Sequence, residues 1–478
     1  MNKNLVLALA LIFSASLPLS ACNRNSRLTS EEHIQQARDY EAKGALRSAV
    51  IELKNALGKN PQNPQARLLL GKMYVELGDG VAAENELERA LKLGIAQAAV
   101  AVPLANALLL QGRSKDALAK LTAVPGLSAN GTVELQVAKG KAYIGLGDLA
   151  RAEEEFQAAL NGLPDSPIAW GGKALLAYYK QQWDEANRWN EKVLANDPQA
   201  VKAWALKGDI GLARGNLNAA ETAYANAVKI RPDNAIYRVG LAIAQISAGK
   251  YSEAKTQLEL VLKSFPADPT SNYYRAVVAY QLKDYETATA LTEKVLSEAT
   301  REDLHARLLA AASNYALGHM EAAYKHIQLF LAKAPSYDSA RKLQAAIQLR
   351  MGQVGEAAKS VKEVNTVSEN DAKLLNAVGL AAIQQGKLDI GFELLQRNVE
   401  AHPKDALARG RLGVARAVAG DYQTGIQDLE QALKMNPNLD AAQAMLALNY
   451  LRTGDSDKAI QAARLMQEKQ PNNPDSYT

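Results

Sequence analysis

The 478-residue chain carries 55 Lys and Arg against 51 Asp and Glu, and a formal charge of +4 gives no reason to invoke nucleic acid. It is 48% hydrophobic but only 6% aromatic, with modest Gly and Pro, which suits an alanine- and leucine-rich helical protein and excludes a disordered one. The single cysteine excludes any internal disulfide, so stability has to come from packing.

The first residues read as an export signal. Lys3 supplies a positive n-region, Leu5 to Leu17 an apolar stretch, and small residues follow. That stretch is too short and too early for a typical membrane-spanning helix. Leu19-Ser20-Ala21-Cys22 matches the bacterial lipobox at every position. The resemblance implies that the Cys22 thiol receives a diacylglycerol, that residues 1–22 act as the signal, and that the new amino terminus is acylated. One acyl chain binds a membrane marginally, and several hold firmly. Asn23 stands where an aspartate would resemble an inner-membrane retention signal, so the resemblance implies an outer-membrane anchor facing the periplasm. The alternative is an ordinary secretory signal with a chance cysteine. Residues 23–29 are a short tether, and Thr29 with Glu32 offers a capping box for the first helix.

From there one unit recurs. "AKGALRSAVIELKNALGKNPQN", "ELGDGVAAENELERALKLG" and "ARGNLNAAETAYANAVKIRPDN" share a glycine, a small residue five positions later and a large one nine positions later. The turn glycines fall at Gly44, Gly78, Gly112, Gly147, Gly215, Gly249, Gly318, Gly352, Gly386, Gly420 and Gly454, with Gln181 and Lys283 in the two intervening slots. Steps are 34 residues, with 35 at two places. This period and spacing are the tetratricopeptide (TPR) signature. The expected fold is all-α, a right-handed superhelical α-solenoid of about 13 TPR helix-turn-helix repeats over residues 30–473. Glycine suits the turn because its left-handed conformation is cheap only without a Cβ, so Gln181 and Lys283 should tolerate strain or use another turn. Small residues such as Gly71, Gly140 and Gly208 should let paired helices approach, with Leu87, Phe156 and Tyr224 filling the gap toward the neighbouring unit. Trp170 and Trp204 are expected in the core, and Trp183 and Trp189 have no assignment. Residues 474–478 copy the opening of a further repeat. Either the chain is a fragment of a longer product or its last apolar face is covered by something else.

The lipobox followed at once by "AKGALRSAVIELKNALGKNPQNPQARLLLGKMYVELGDGVAAENELERALKLG" and "PLANALLLQGRSKDALAKL" resembles the TPR lipoproteins of the exosortase/PEP-CTERM system. Members of that family are longer than this chain. The resemblance implies a periplasmic role beside genes for exopolysaccharide production and C-terminal protein sorting.

No catalytic constellation is visible. Five histidines (His33, His305, His319, His326, His402) are scattered, and HExxH, GxSxG, Walker and GxGxxG motifs are absent. The expectation is a non-enzyme without cofactor or metal that holds other proteins, with polysaccharide as a further partner, the membrane reached through Cys22, and no nucleic acid. Its rivals are an assembly factor or pilotin for an outer-membrane secretin or pore, and a polysaccharide-modifying enzyme, which would need paired carboxylates in one cleft.

Binding residues are sought on the concave wall built by the first helices. Six residues before each turn lies an inward column. It is polar and mostly basic early (Arg38, Lys72, Asn106, Lys141) and apolar later, from Ile243 through Val277 to Leu448. This suggests one zone for acidic groups and one apolar zone, unless distal units coil tightly and bury the column. A second column three residues before the turn carries Tyr178, Ile246, Tyr280 and Tyr315, with Tyr179 and Tyr273 nearby. Rings with a polar tip suit extended peptides or sugar faces, and equally suit packing between neighbouring helices.

Overall fold

The computed structural model describes residues 28–298, 303–364 and 371–469. The signal with Cys22, most of the tether and the 474–478 segment lie outside the described residues. Within them the chain forms 26 helices and no strand, an α-solenoid of paired antiparallel helices. It divides into two compact units meeting at Phe265 and Pro266. The first contains repeats one to seven, from helix Ser30–Ala42 to helix Tyr251–Leu262, and the second repeats eight to thirteen, from Pro269–Gln281 to Ser456–Lys469.

The array starts where the capping box sets it. The Glu32 backbone N–H donates to Thr29 Oγ1 at 3.2 Å, and the Thr29 N–H donates to Glu32 Oε2 at 2.7 Å. The turn inside each repeat is a left-handed cap. The eleven glycines named above have φ between 71° and 90°, and at Gly215 the turn closes with Gly215 N–H to Leu212 O (3.0 Å) and Asn216 N–H to Gly211 O (2.8 Å). Gln181 (φ 58°) and Lys283 (φ 63°) adopt the same conformation with a Cβ present, so these two turns keep the geometry and carry the strain.

Stacking follows from size contrast. The Phe156 ring, 0% exposed, sits where a Cβ added to Gly140 of its own repeat or to Gly172 of the next would each come within 2.5 Å of it. Tyr224 lies in the same way between Gly208 and Gly240, and its hydroxyl donates to the inward Asp209 carboxylate. Burial raises the Asp209 pKa, and the Tyr224 hydrogen bond opposes that shift.

Two features depart from the regular period. The second helix of repeat three is cut to Ser114–Lys120, ending before Ala123, which has φ 50°, and the next helix, Ala129–Gly145, is correspondingly long at 17 residues. Repeat ten has a shortened second helix as well, Val354–Lys362. The expectation for Trp170 and Trp204 also needs correction. Both are only partly buried against Val193, Leu194 and Ala203, because each indole N–H reaches out to a proline carbonyl six residues earlier, Pro164 and Pro198, at 2.9 Å. The same slot is filled by Arg67, Arg238, Asn272 and Arg341, donating to Pro61, Pro232, Pro266 and Pro335 at 2.6–3.0 Å. The proline ends one helix and leaves its own carbonyl without an intrahelical donor, and the next helix supplies one.

Two outcomes follow for thermal unfolding. Gln181→Gly should raise stability by about 0.5–1 kcal/mol, the left-handed penalty less the cost of a flexible residue, whereas Gly215→Val should lose about 1–3 kcal/mol although a Cβ there meets no atom within 4 Å. Trp204→Phe should cost about 0.5–1 kcal/mol through the lost hydrogen bond to the exposed Pro198 carbonyl, and Trp204→Arg should recover part of that loss.

Candidate functional site

In the first unit the first helices of repeats two to six, from Pro64–Leu77 to Val201–Ala213, line a cavity of about 770 Å³. Lys72, Asn106 and Lys141 project into it from three successive first helices, with Val75, Val102, Val137 and Leu175 as apolar wall. Arg38 does not line the cavity and stands exposed on the first helix. Carboxylates of Glu41, Glu76 and Glu134 share the wall, so the zone expected to be basic is mixed in charge. The inward column itself did not reveal them, because they occupy other positions on the same helices.

Lys72 and Lys141 make no ion pair among the described residues. Lys141 is partly buried in the wall. Desolvation, with the Lys202 ammonium nearby, pulls its amine down to about 8, and Glu76 opposes that shift. Lys202 is paired to Glu76 at 2.9 Å. A second space of about 510 Å³ adjoins this pair and shares Asn106, Lys141 and Leu175 with the first.

The Glu76–Lys202 pair belongs to a seam that brings the two ends of the unit together. The Asn234 side-chain amide donates to the Glu76 carbonyl, and a Cβ on Gly78 would come within 3.0 Å of Ile236. Arg47 donates to Ser264 and lies 5.2 Å from the Phe265 ring centroid. Buried Gly44 faces the Ile230 carbonyl, where a Cβ would be at 3.1 Å. The sequence marks Gly44 and Gly78 only as turn residues, and nothing local marks a contact across several repeats.

The aromatic column divides by exposure. Tyr178 packs edge-on against Tyr179 and Trp183, both at 5.5 Å, and Trp183 opens the second helix of the same repeat. Tyr280 meets Tyr285 at the matching place, at 5.4 Å, and Tyr315 packs into a core with Ile327 and Met320. Tyr273 contacts Tyr274 and His305. Desolvation pushes the Tyr178, Tyr273 and Tyr280 hydroxyls upward in pKa, as partial burial within helix pairs requires. Tyr179 is the exposed member at 50%, and it lines the smaller cavity. Ile243 and Ile246 are partly exposed on helix Ala235–Ser247. The rest of the apolar column stays partly exposed from Val277 to Val414 and exposed at Leu448, so tight coiling does not bury it.

No group of three or more metal-ligating side chains occurs among the described residues. His33 is buried with Nδ1 2.6 Å from Glu52, and His326 lies 2.8 Å from Glu293, while His319 is exposed at a helix start. His319 and His326 therefore do not form one site.

Comparison with known proteins agrees with this architecture. Residues 6–178 match the family described as a tetratricopeptide repeat-like domain, residues 191–303 the TPR domain of cytochrome c-type biogenesis protein H, and residues 376–428 and 418–478 tetratricopeptide repeat families. The chain is a tetratricopeptide-repeat protein. This TPR protein is 25% identical over 356 residues to cellulose synthase operon protein C of Pseudomonas fluorescens, a match covering 67% of this chain and 27% of that protein. It is 35% identical over 113 residues to the protein of the same name in Escherichia coli K12, covering 21% of this chain and 10% of the relative. The chain thus spans about a quarter or less of the length of these relatives. Among solved structures, the type IV pilus biogenesis factor PilW is 20% identical with a TM-score of 0.41, covering 45% of this chain and 98% of PilW.

The Lys141 shift has a measurable sign. Its folded pKa lies below the ordinary lysine value, so the unfolded chain binds more protons between about pH 8 and 10.5, and stability should rise with pH across that window. Lys141→Met should stabilise the first unit below pH 8, by up to about 3 kcal/mol before screening by cavity water, and the gain should vanish above the unfolded pKa. Melting curves at several pH values check this.

Proposed function

We propose that this TPR protein is a lipid-anchored scaffold that holds protein partners of an exopolysaccharide production and export assembly at the periplasmic face of the outer membrane. The observation that carries the reading is the similarity over 356 residues to a protein named for the cellulose synthase operon, in a chain built to present an inner wall. Relatives in two further bacteria are named for the same operon. Cys22 in its lipobox supplies the anchor. The exosortase/PEP-CTERM association is the finer part of the proposal and rests on the N-terminal resemblance alone.

The cavity supports a gripping role. Unpaired amines at Lys72 and Lys141 flank the Asn106 amide, which both donates and accepts, and aliphatic side chains lie between them. Such a wall suits an extended polypeptide with acidic and aliphatic residues.

Two measurements test the proposal. Radioactive fatty acid should label the wild-type chain and leave Cys22→Ser unlabelled; equal labelling of both removes the anchor. Replacing Lys72 and Lys141 together by glutamate should reduce the partners crosslinked in living cells by about tenfold, the effect of roughly 1.4 kcal/mol, with helical content unchanged. Arg38→Glu, outside the cavity, should leave the crosslinking pattern as it was.

A further inference from the structure

The joints of the first unit differ in kind. Adjacent repeats are joined by buried side chains such as Phe156 and Tyr224, whereas the seam between repeats one and two and repeats six and seven is held largely by polar contacts, with an exposed ion pair beside the buried Asn234 and Gly44. The Lys202 side chain is 68% exposed and its Glu76 partner 33%, and exposed ion pairs contribute about 0–1 kcal/mol. Ile236, its apolar contact against Gly78, is itself half exposed. At this pair the seam is therefore held more weakly than a junction closed by a buried ring. It is also placed where opening matters, because Glu76 and Lys202 line both cavities, and parting them merges the two spaces.

We propose that this seam is a gate through which an extended segment of a protein partner enters the cavity sideways. The inference rests on the reading of the inner wall as a gripping surface and adds the route of entry. A segment flanked by folded domains cannot thread into a ring end first, but it can enter through a parted seam. The occupant is a polypeptide because the residues lining the larger cavity are aliphatic or carry amides and charges, with no aromatic ring there to stack on a sugar face; the one exposed ring nearby, Tyr179, lines the smaller space. Lys141 stands close enough to feel both members of the seam pair, so an acidic residue arriving there offsets its repulsion by Lys202.

The test uses thiol reactivity in a chain carrying Cys22→Ser, so that Asn106→Cys, on the wall of both cavities, provides the only cysteine. Three probes are compared: N-ethylmaleimide, a glutamate- and valine-rich peptide with a maleimide at its centre, and the same peptide with streptavidin bound at both ends. The blocked peptide should react, and Lys202→Met, which removes the seam ion pair without adding negative charge to the cavity wall, should speed it about two- to fivefold, while the N-ethylmaleimide rate stays constant. Two results overturn the gate. In one the free peptide reacts and the blocked one does not, which means end-first threading; in the other the blocked peptide's rate ignores Lys202→Met. Either leaves the scaffold reading standing, since that is decided by lipid labelling and capture in cells.

Discussion

A large side chain held between small residues of two successive helices is the contact on which this molecule depends. Phe156 bridges Gly140 and Gly172, and Tyr224 bridges Gly208 and Gly240. Burying such a side chain contributes about 1.5–3 kcal/mol, and each one ties a repeat to its successor as well as to itself. A single repeat cannot cover its own apolar face, so the unit of stability is the junction. The left-handed turns, the proline stops and the capping box fix where helices begin and end. The bridging side chains fix how closely the helices lie, and so how the wall carrying Lys72, Asn106 and Lys141 is shaped.

Much of this was legible in the sequence because it is local. A glycine about every 34 residues marks a turn whose conformation needs it, and the period places Gln181 and Lys283 at turn slots, where strain in the left-handed conformation, rather than another turn, is what the structure adopts. Thr29 and Glu32 lie three residues apart and satisfy each other. Trp170 and Trp204 stand at the edge of the core rather than inside it, because the indole N–H needs an acceptor and finds it at the proline carbonyl six residues earlier. The seam was invisible for a different reason. Glu76 and Lys202 are 126 positions apart and Arg47 and Ser264 are 217 apart, brought together by the sum of small rotations between repeats. No single motif encodes such a sum.

The candidate site shows the same division. Counting back from the turn found the residues that face inward, and Lys72, Asn106 and Lys141 line one cavity as that register requires. The count could not find Glu76 and Glu134, which together with Glu41, three residues before its turn, temper the positive charge, nor could it tell that Arg38 lies beyond the enclosed part of the wall. A column of residues gives direction. Enclosure is a property of several repeats acting together.

The carbonyl left by each helix-ending proline has one further consequence. Its partner on the following helix is tryptophan twice, arginine three times and asparagine once in the six instances described. The junction thus specifies a chemical capability at a fixed reach and leaves the identity of the residue free. Under that tolerance the letter at this position is free to change while the donor and the backbone spacing stay the same. Alignment by amino-acid identity then loses distant cousins sooner than their architecture diverges, and a comparison weighted by donor capacity at this position would trace the lineage further.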